Sequence, residues 1–275
     1  MLSKLLKYDF KAVFKYWWIA AVSSVALSLI GGTCWSILES DRNLPTVVTV
    51  LSVLGIILVV LGYVAFAILS AILIYLRFYK NFFTDEGYLT FTLPVKRADL
   101  LNSKLIMSTL TTLATCIILL ADVGIMVCIV YAEKIFSPDF WKELTNIWNE
   151  VYRELGGFLP VYLVEFLLLF VLAVIFGNLF MFVCITFGSL ITKKAKVLAS
   201  IAIYYGANSI LSFVTQMLFA LAMPSLFDQL SYLPEDSVKL GLALILGGGM
   251  LFIGMFTSLL YNLQYWMLDR KLNLS

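Results

Sequence analysis

The chain has no histidine, and that one absence removes a large part of enzyme chemistry. Histidine-based acid–base catalysis and histidine metal ligation are both excluded. Charged residues make up only 13% of the sequence, against 62% hydrophobic residues, too few to clothe a water-soluble protein of this length. The four cysteines, Cys34, Cys116, Cys128 and Cys184, form no CxxC pair. All four fall in apolar runs, where they read as small packing residues. No GxxxxGK[ST] sequence occurs; Gly247, Gly248 and Gly249 lack the following lysine and Ser/Thr that would cradle a phosphate. Any ATP that energises this chain must therefore sit on another polypeptide, and no cofactor is expected on the chain itself. The formal charge of +2 leaves no basic domain to hold nucleic acid. The start is basic and amphipathic, and does not read as a cleavable secretory signal.

What the sequence does contain is six long apolar runs: Tyr16–Ile37, Val47–Leu76, Leu105–Tyr131, Phe158–Ile191, Val197–Ala222 and Leu240–Leu268. Each exceeds the roughly 20 residues that a helix rising ~1.5 Å per residue needs to cross a ~30 Å hydrocarbon core. Helices are required because unpaired backbone groups in lipid each cost several kcal/mol, and no alternating barrel pattern is visible. The expected fold class is an all-α membrane protein with six transmembrane helices. Residues 1–15 are expected to form a separate interfacial helix ahead of a six-span domain, residues 16–275.

Lysine and arginine set the expected orientation. Lys4, Lys7, Lys11 and Lys15 precede the first run, and Arg77, Lys80, Lys96, Arg97 and Lys104 follow the second. Lys193, Lys194 and Lys196 follow the fourth, and Arg270 and Lys271 the sixth. These are 14 of the 19 basic residues, all on one side. Both termini are therefore expected in the cytoplasm of a bacterial cell, with a multi-pass chain in the plasma membrane.

Two amphipathic segments flank the spans. In the first, the four amino-terminal lysines share one helical face, with Leu2, Leu5, Leu6, Phe10, Val13 and Phe14 on the other. It is expected to lie among membrane lipids as an elbow before the first span, each lysine contributing on the order of 1 kcal/mol near anionic headgroups. In the second, residues 132–157, Ser137 can cap a helix, Pro138 suits its first turn, and Gly156 with Gly157 can end it. Phe140, Leu144, Ile147, Trp148, Val151, Tyr152 and Leu155 share a face that should bury against headgroups or the outer ends of the spans. A structural lid and direct handling of an exported molecule are both open.

Asp122 and Glu165 lie inside spans, at depths of about 13 Å and about 10 Å from the outer ends. No lysine or arginine lies within any span to pair with them, so each should face the bundle or an aqueous cavity. They serve either as structural groups hydrogen-bonded to residues such as Asn178, or as a shared polar site on a substrate path.

Residues 77–104 read RFYKNFFTDEGYLTFTLPVKRADLLNSK. A connection that merely turns between spans would be short and polar, whereas Phe78, Tyr79, Phe82, Phe83, Tyr88 and Phe91 are interleaved here with charges. Aromatic anchors with a charged rim suit a docking element for a protein partner; an interfacial aromatic belt is the plainer reading. The part before Pro94 can form a short helix that Pro94 ends.

On Phe82–Lys104, on the ending Tyr261–Leu274 and on the six-span plan, the chain resembles the permease subunits of bacterial ABC exporters of the type-two class. The resemblance implies a permease and no enzyme: two permeases, identical or related, bound to two cytoplasmic ATPase subunits that hold ATP and magnesium. It places a coupling helix within Tyr79–Leu93, with Phe82, Phe83 and Tyr88 as anchors. Asp85 and Glu86 would read basic groups on the ATPase, Gly87 would permit a close approach or a change of chain direction, and Pro94 would end the element. Cargo in this family includes drugs, lipids, glycans and peptides; the external segment at residues 132–157 favours an amphipathic peptide, as in immunity to antimicrobial peptides. Two other classes remain: a membrane scaffold or sensor without transport, and an ion-coupled secondary transporter using Asp122 and Glu165. An intramembrane enzyme has no nucleophile–base or metal constellation to rest on.

Overall fold

The first apolar run is not preceded by an elbow. In the computed structural model a single helix, α1 (Leu2–Glu39), carries both the lysine-rich start and the first span. No proline lies in this stretch, and its first glycines are Gly31 and Gly32, so nothing interrupts the backbone hydrogen bonds near residue 15. The helix runs through the expected boundary at that residue without interruption. All four lysines are exposed, as their shared face requires. The structure describes residues 2–40, 45–84, 86–87, 92, 94–192, 195–231 and 234–270, with the backbone alone at 226–231, 235–236 and 270.

The remaining long helices are α2 (Thr46–Phe83), α3 (Arg97–Val130), α6 (Leu159–Ile191), α7 (Lys196–Ser231) and α8 (Glu235–Arg270). Between α3 and α6 lie the short α4 (Ala132–Ile135), α5 (Pro138–Leu155) and a 3-10 turn, Gly156–Phe158. Among the described residues six helices are long and apolar enough to cross a membrane, and there is no strand. The architecture is that of a helical, multi-pass membrane protein. The apolar runs fall within these helices except for single terminal residues, Tyr131 and Phe158. α7 continues through Pro224 to Ser231, beyond the expected end at Ala222, because a proline removes one backbone donor without forbidding the next turn.

The chain divides into two compact units. One comprises Met1–Arg77 and Ile106–Glu150, the other Phe78–Leu105 and Val151–Ser275.

In the first unit α1 presents a single buried stripe: Asp9, Val13, Trp17, Ala21, Ser24, Ser28, Gly31 and Gly32. The three- and four-residue spacing keeps these on one face, and that face meets both α2 and α3. Trp17, Val13 and Ala21 form a core with Phe66 of α2 and Met107 of α3. The Trp17 indole N–H donates to Thr115 Oγ1 at 3.0 Å, which satisfies the one polar atom of a buried ring. Towards the other end the stripe shrinks to small residues so that backbones can approach. A Cβ on Gly32 would stand 2.8 Å from Ile129 Cδ1, and one on Gly31 3.0 Å from both methyls of Val59. In lipid, where apolar surface gains little from leaving solvent, such close packing supplies much of the association.

In the second unit α6 packs along both α7 and α8. Its buried residues, Asn178, Leu179, Phe182–Thr186 and Gly188, lie in its second half. Gly188 is needed at the α7 contact, because a Cβ there would stand 2.6 Å from Ser200 Cα.

The helix expected in residues 132–157 is present as α5, and its start and stop follow the expected chemistry. Phe140 N–H donates to Ser137 Oγ at 3.4 Å, and Gly156 takes φ +53°, the left-handed conformation that glycine adopts freely. Its apolar face does not bury against the chain: no residue of α5 is buried, and Trp148 is 57% exposed.

Candidate functional site

Residues from the 77–104 stretch and from the end of the chain's last helix meet in the second unit. α2 continues to Phe83, so Tyr79, Phe82 and Phe83 are helical rather than part of a loop. Phe78 stacks on Phe182 of α6, with ring centroids 4.0 Å apart and planes 9° from parallel, and Phe82 lies 5.0 Å from Phe78. Phe78 and Phe82 are fully buried. Phe82 therefore fills the chain's own core, whereas the expected docking anchor would project from it. Its burial follows from four-residue spacing, which puts Phe78 and Phe82 on one face of α2. Phe83 and Tyr79 are half-buried and stack with ring centroids 6.1 Å apart.

Beyond α2 the chain folds back on the helix end. Thr84 Oγ1 donates to Lys80 O at 2.6 Å, and Gly87 N–H donates to Thr84 O at 2.8 Å. Gly87 is buried, and a Cβ there would stand 2.8 Å from Phe82 O. That contact is with backbone, which cannot rotate aside, so the close approach needs glycine. Asn81 ties the turn to α3: its amide oxygen accepts from Lys104 Nζ, and its amide nitrogen donates to Glu86 Oε2 at 3.2 Å. Lys104 is 3% exposed, an unusual place for a lysine without partners. Glu86, expected to read a partner's basic groups, is exposed but engaged by Asn81. Pro94 sits at an exposed bend before α3. Asp85 and Tyr88 lie outside the described residues.

The start of α3 is joined in turn to the end of α8. The Arg97 guanidinium donates to Leu268 O at 3.1 Å and to Asp269 O, and pairs with Asp269 Oδ1 at 3.0 Å. These carbonyls belong to the last turn of α8, where helix acceptors lack intrahelical donors. Tyr261 OH donates to Asn102 Oδ1 at 2.8 Å. Deeper in, Gln264 Nε2 donates to Thr186 Oγ1 at 2.8 Å, while Gln264 Oε1 has no hydrogen-bond partner. The junction thus joins the end of α2, the start of α3, the second half of α6 and the end of α8.

Asp122 belongs to the first unit and Glu165 to the second, and each has its own surroundings. Asp122 is completely buried, and neither carboxylate oxygen has a hydrogen-bond partner. Ser24 and Ser28 of α1 and Tyr63 of α2 are its polar neighbours. Glu165 is half-buried with Oε2 unpartnered, and its Oε1 approaches Gly247 of α8. The expected pairing with Asn178 fails for Glu165, because thirteen residues along α6 separate them by about 20 Å.

Sequence reasoning passed over several of these groups. Asp9 is 3% exposed and pairs with Arg77 Nε at 3.3 Å; the available signal was one acid among four lysines at the start. Lys104 and Arg97 gave no signal of their own, since basic residues outside spans register only as charge, and Gln264 is a single neutral amide within the sixth apolar run. Among the described residues no cluster of metal-ligating side chains is present. No family model, curated protein or solved structure matches this chain.

Proposed function

We propose that this chain is the permease subunit of an ATP-driven exporter that moves a hydrophobic or amphipathic cargo, an amphipathic peptide above all, out of a bacterial cell. ATP and magnesium would sit on separate cytoplasmic ATPase subunits, which the 77–104 segment would engage, and a second identical or related permease would complete the pathway. The observation that carries this reading is the meeting of Phe82–Lys104 with Tyr261–Asp269. The two stretches that resemble the exporter permeases are bonded to each other through Arg97, Asn102, Tyr261 and Asp269. A segment tied at once to α3, α6 and α8 is suited to coupling; a connection that only joins spans has no need of such ties. The half-buried pair Tyr79 and Phe83 stays available at its edge.

The test is affinity purification of the chain from native membranes in mild detergent, with Phe83→Ala/Tyr88→Ala beside the wild type. Phe78 and Phe82 are left intact because their loss would unfold the core. Wild type should bring down an ATPase with a phosphate-binding loop, and the double variant should lose most of it while inserting normally, since aromatic anchors contribute ~2 kcal/mol or more. Equal recovery with a folded double variant would count against coupling through these residues. The second reading, an ion-coupled transporter, has the unpartnered Asp122 in its favour; transport that follows an ion gradient without ATP would select it.

A further inference from the structure

We propose that Asp122, Ser24, Ser28 and Tyr63 form a binding site for one small monovalent cation, enclosed within the first unit, with sodium as the probe ion. The proposal goes beyond the exporter reading and does not rest on it.

The argument begins with unsatisfied oxygens. Asp122 is 0% exposed, both of its carboxylate oxygens lack a hydrogen bond, and the buried Tyr63 hydroxyl lacks one too. Ser24 and Ser28 are 1% and 0% exposed. Their hydroxyl protons are committed to their own helix, Ser24 Oγ donating to Ala21 O at 2.9 Å and Ser28 Oγ to Val25 O at 2.7 Å. Each serine oxygen keeps lone pairs beside the carboxylate. A carboxylate left with both oxygens unpartnered in a dry interior costs several kcal/mol, and a cation held between it and the neighbouring hydroxyl oxygens removes that cost.

Charge selects the ion. Between Lys15 and Glu39 on α1, across residues 46–76 of α2, and from 105 to 130 of α3, Asp122 is the only charged residue. Tyr63 is the titratable group beside it. One monovalent cation neutralises the cluster, whereas a divalent ion would leave a net positive charge enclosed. The ligands are all oxygens, a set that suits hard cations and offers no nitrogen or sulfur to a softer metal.

A polar cavity lies two turns from the site in the same unit. An open polar cavity of about 610 Å³ is lined by Ser36 and Glu39 at the end of α1 and by Tyr131, Glu133 and Lys134 beyond α3. Ser36 lies two turns, about 12 Å, beyond Ser28, and Val130 lies equally far beyond Asp122. Glu39 and Glu133 would draw cations to this mouth.

The test is equilibrium binding of radiolabelled sodium to the purified full-length chain in lipid nanodiscs, with choline chloride holding ionic strength constant. The expected result is one saturable sodium per chain, displaced by unlabelled sodium and lost in Asp122→Asn. No saturable binding by the wild type would overturn the proposal, the carboxyl then carrying a proton instead. Binding unchanged in a folded Asp122→Asn would overturn it equally. If that variant does not fold, Ser28→Ala decides: the proposal requires affinity about tenfold weaker, and unchanged affinity refutes it.

Discussion

Asp9 shows how one buried side chain can tie two helices together. It is enclosed on the α1 stripe and reaches Arg77 at the far end of α2, while the four neighbouring lysines stay in the open. Truncating Asp9 leaves the guanidinium without this partner in a partly enclosed site; charge-assisted hydrogen bonds of this kind contribute about 1.5–3 kcal/mol. Thermal unfolding in detergent should therefore show Asp9→Ala lowering the midpoint clearly, with Lys4→Ala or Lys11→Ala changing it little. Equal effects from all three would mean that the pair carries no weight. Lys104 follows the same logic, its burial made tolerable by Asn81. None of these partnerships was legible in the sequence, because an ion pair or amide bridge between residues far apart in the chain leaves no local pattern. Gly87 is different: a glycine amid bulky aromatics marks a close approach, and the contact with Phe82 O is that approach.

At the scale of elements, periodicity carries the fold. The α1 stripe could be read from spacing alone, yet its consequence, one unbroken helix from Leu2 to Glu39, was obscured by the change from basic to apolar composition at residue 15. Helical hydrogen bonding is indifferent to that change; only a breaker would have ended the helix. α2 and α3 likewise extend beyond their apolar runs, into Phe83 and back to Arg97, because charged side chains are good helix formers. The packing of α1 depends on its small residues. Gly32→Val would press two methyls into Ile129, which already stands 2.8 Å from a bare Cβ, and overpacking of this kind costs about 1–3 kcal/mol. The variant should unfold at lower temperature, and Ile129→Ala should restore part of the loss by opening the same space. No recovery in the double variant would show that the two residues do not share a contact. α5 obeys its sequence signals at both ends, but its apolar face is uncovered by this chain.

For the whole molecule, composition and six apolar runs were enough to specify a helical membrane protein, because crossing a hydrocarbon core constrains length and polarity so strongly. The junction around Phe78, Arg97 and Gln264 was legible only in part. Its aromatic residues announced themselves, but which faced inward depended on α2 running on to Phe83. The exporter reading requires this junction to be on the cytoplasmic side, where an ATPase can reach it, and α5 to be on the opposite side. Single cysteines at Lys96 and Asn149, in a background with Cys34, Cys116, Cys128 and Cys184 replaced, test that requirement with a membrane-impermeant thiol reagent on intact cells. The account predicts that Asn149→Cys is labelled at once and Lys96→Cys only after the membrane is opened. Labelling of Lys96→Cys in intact cells, with Asn149→Cys protected, would contradict it.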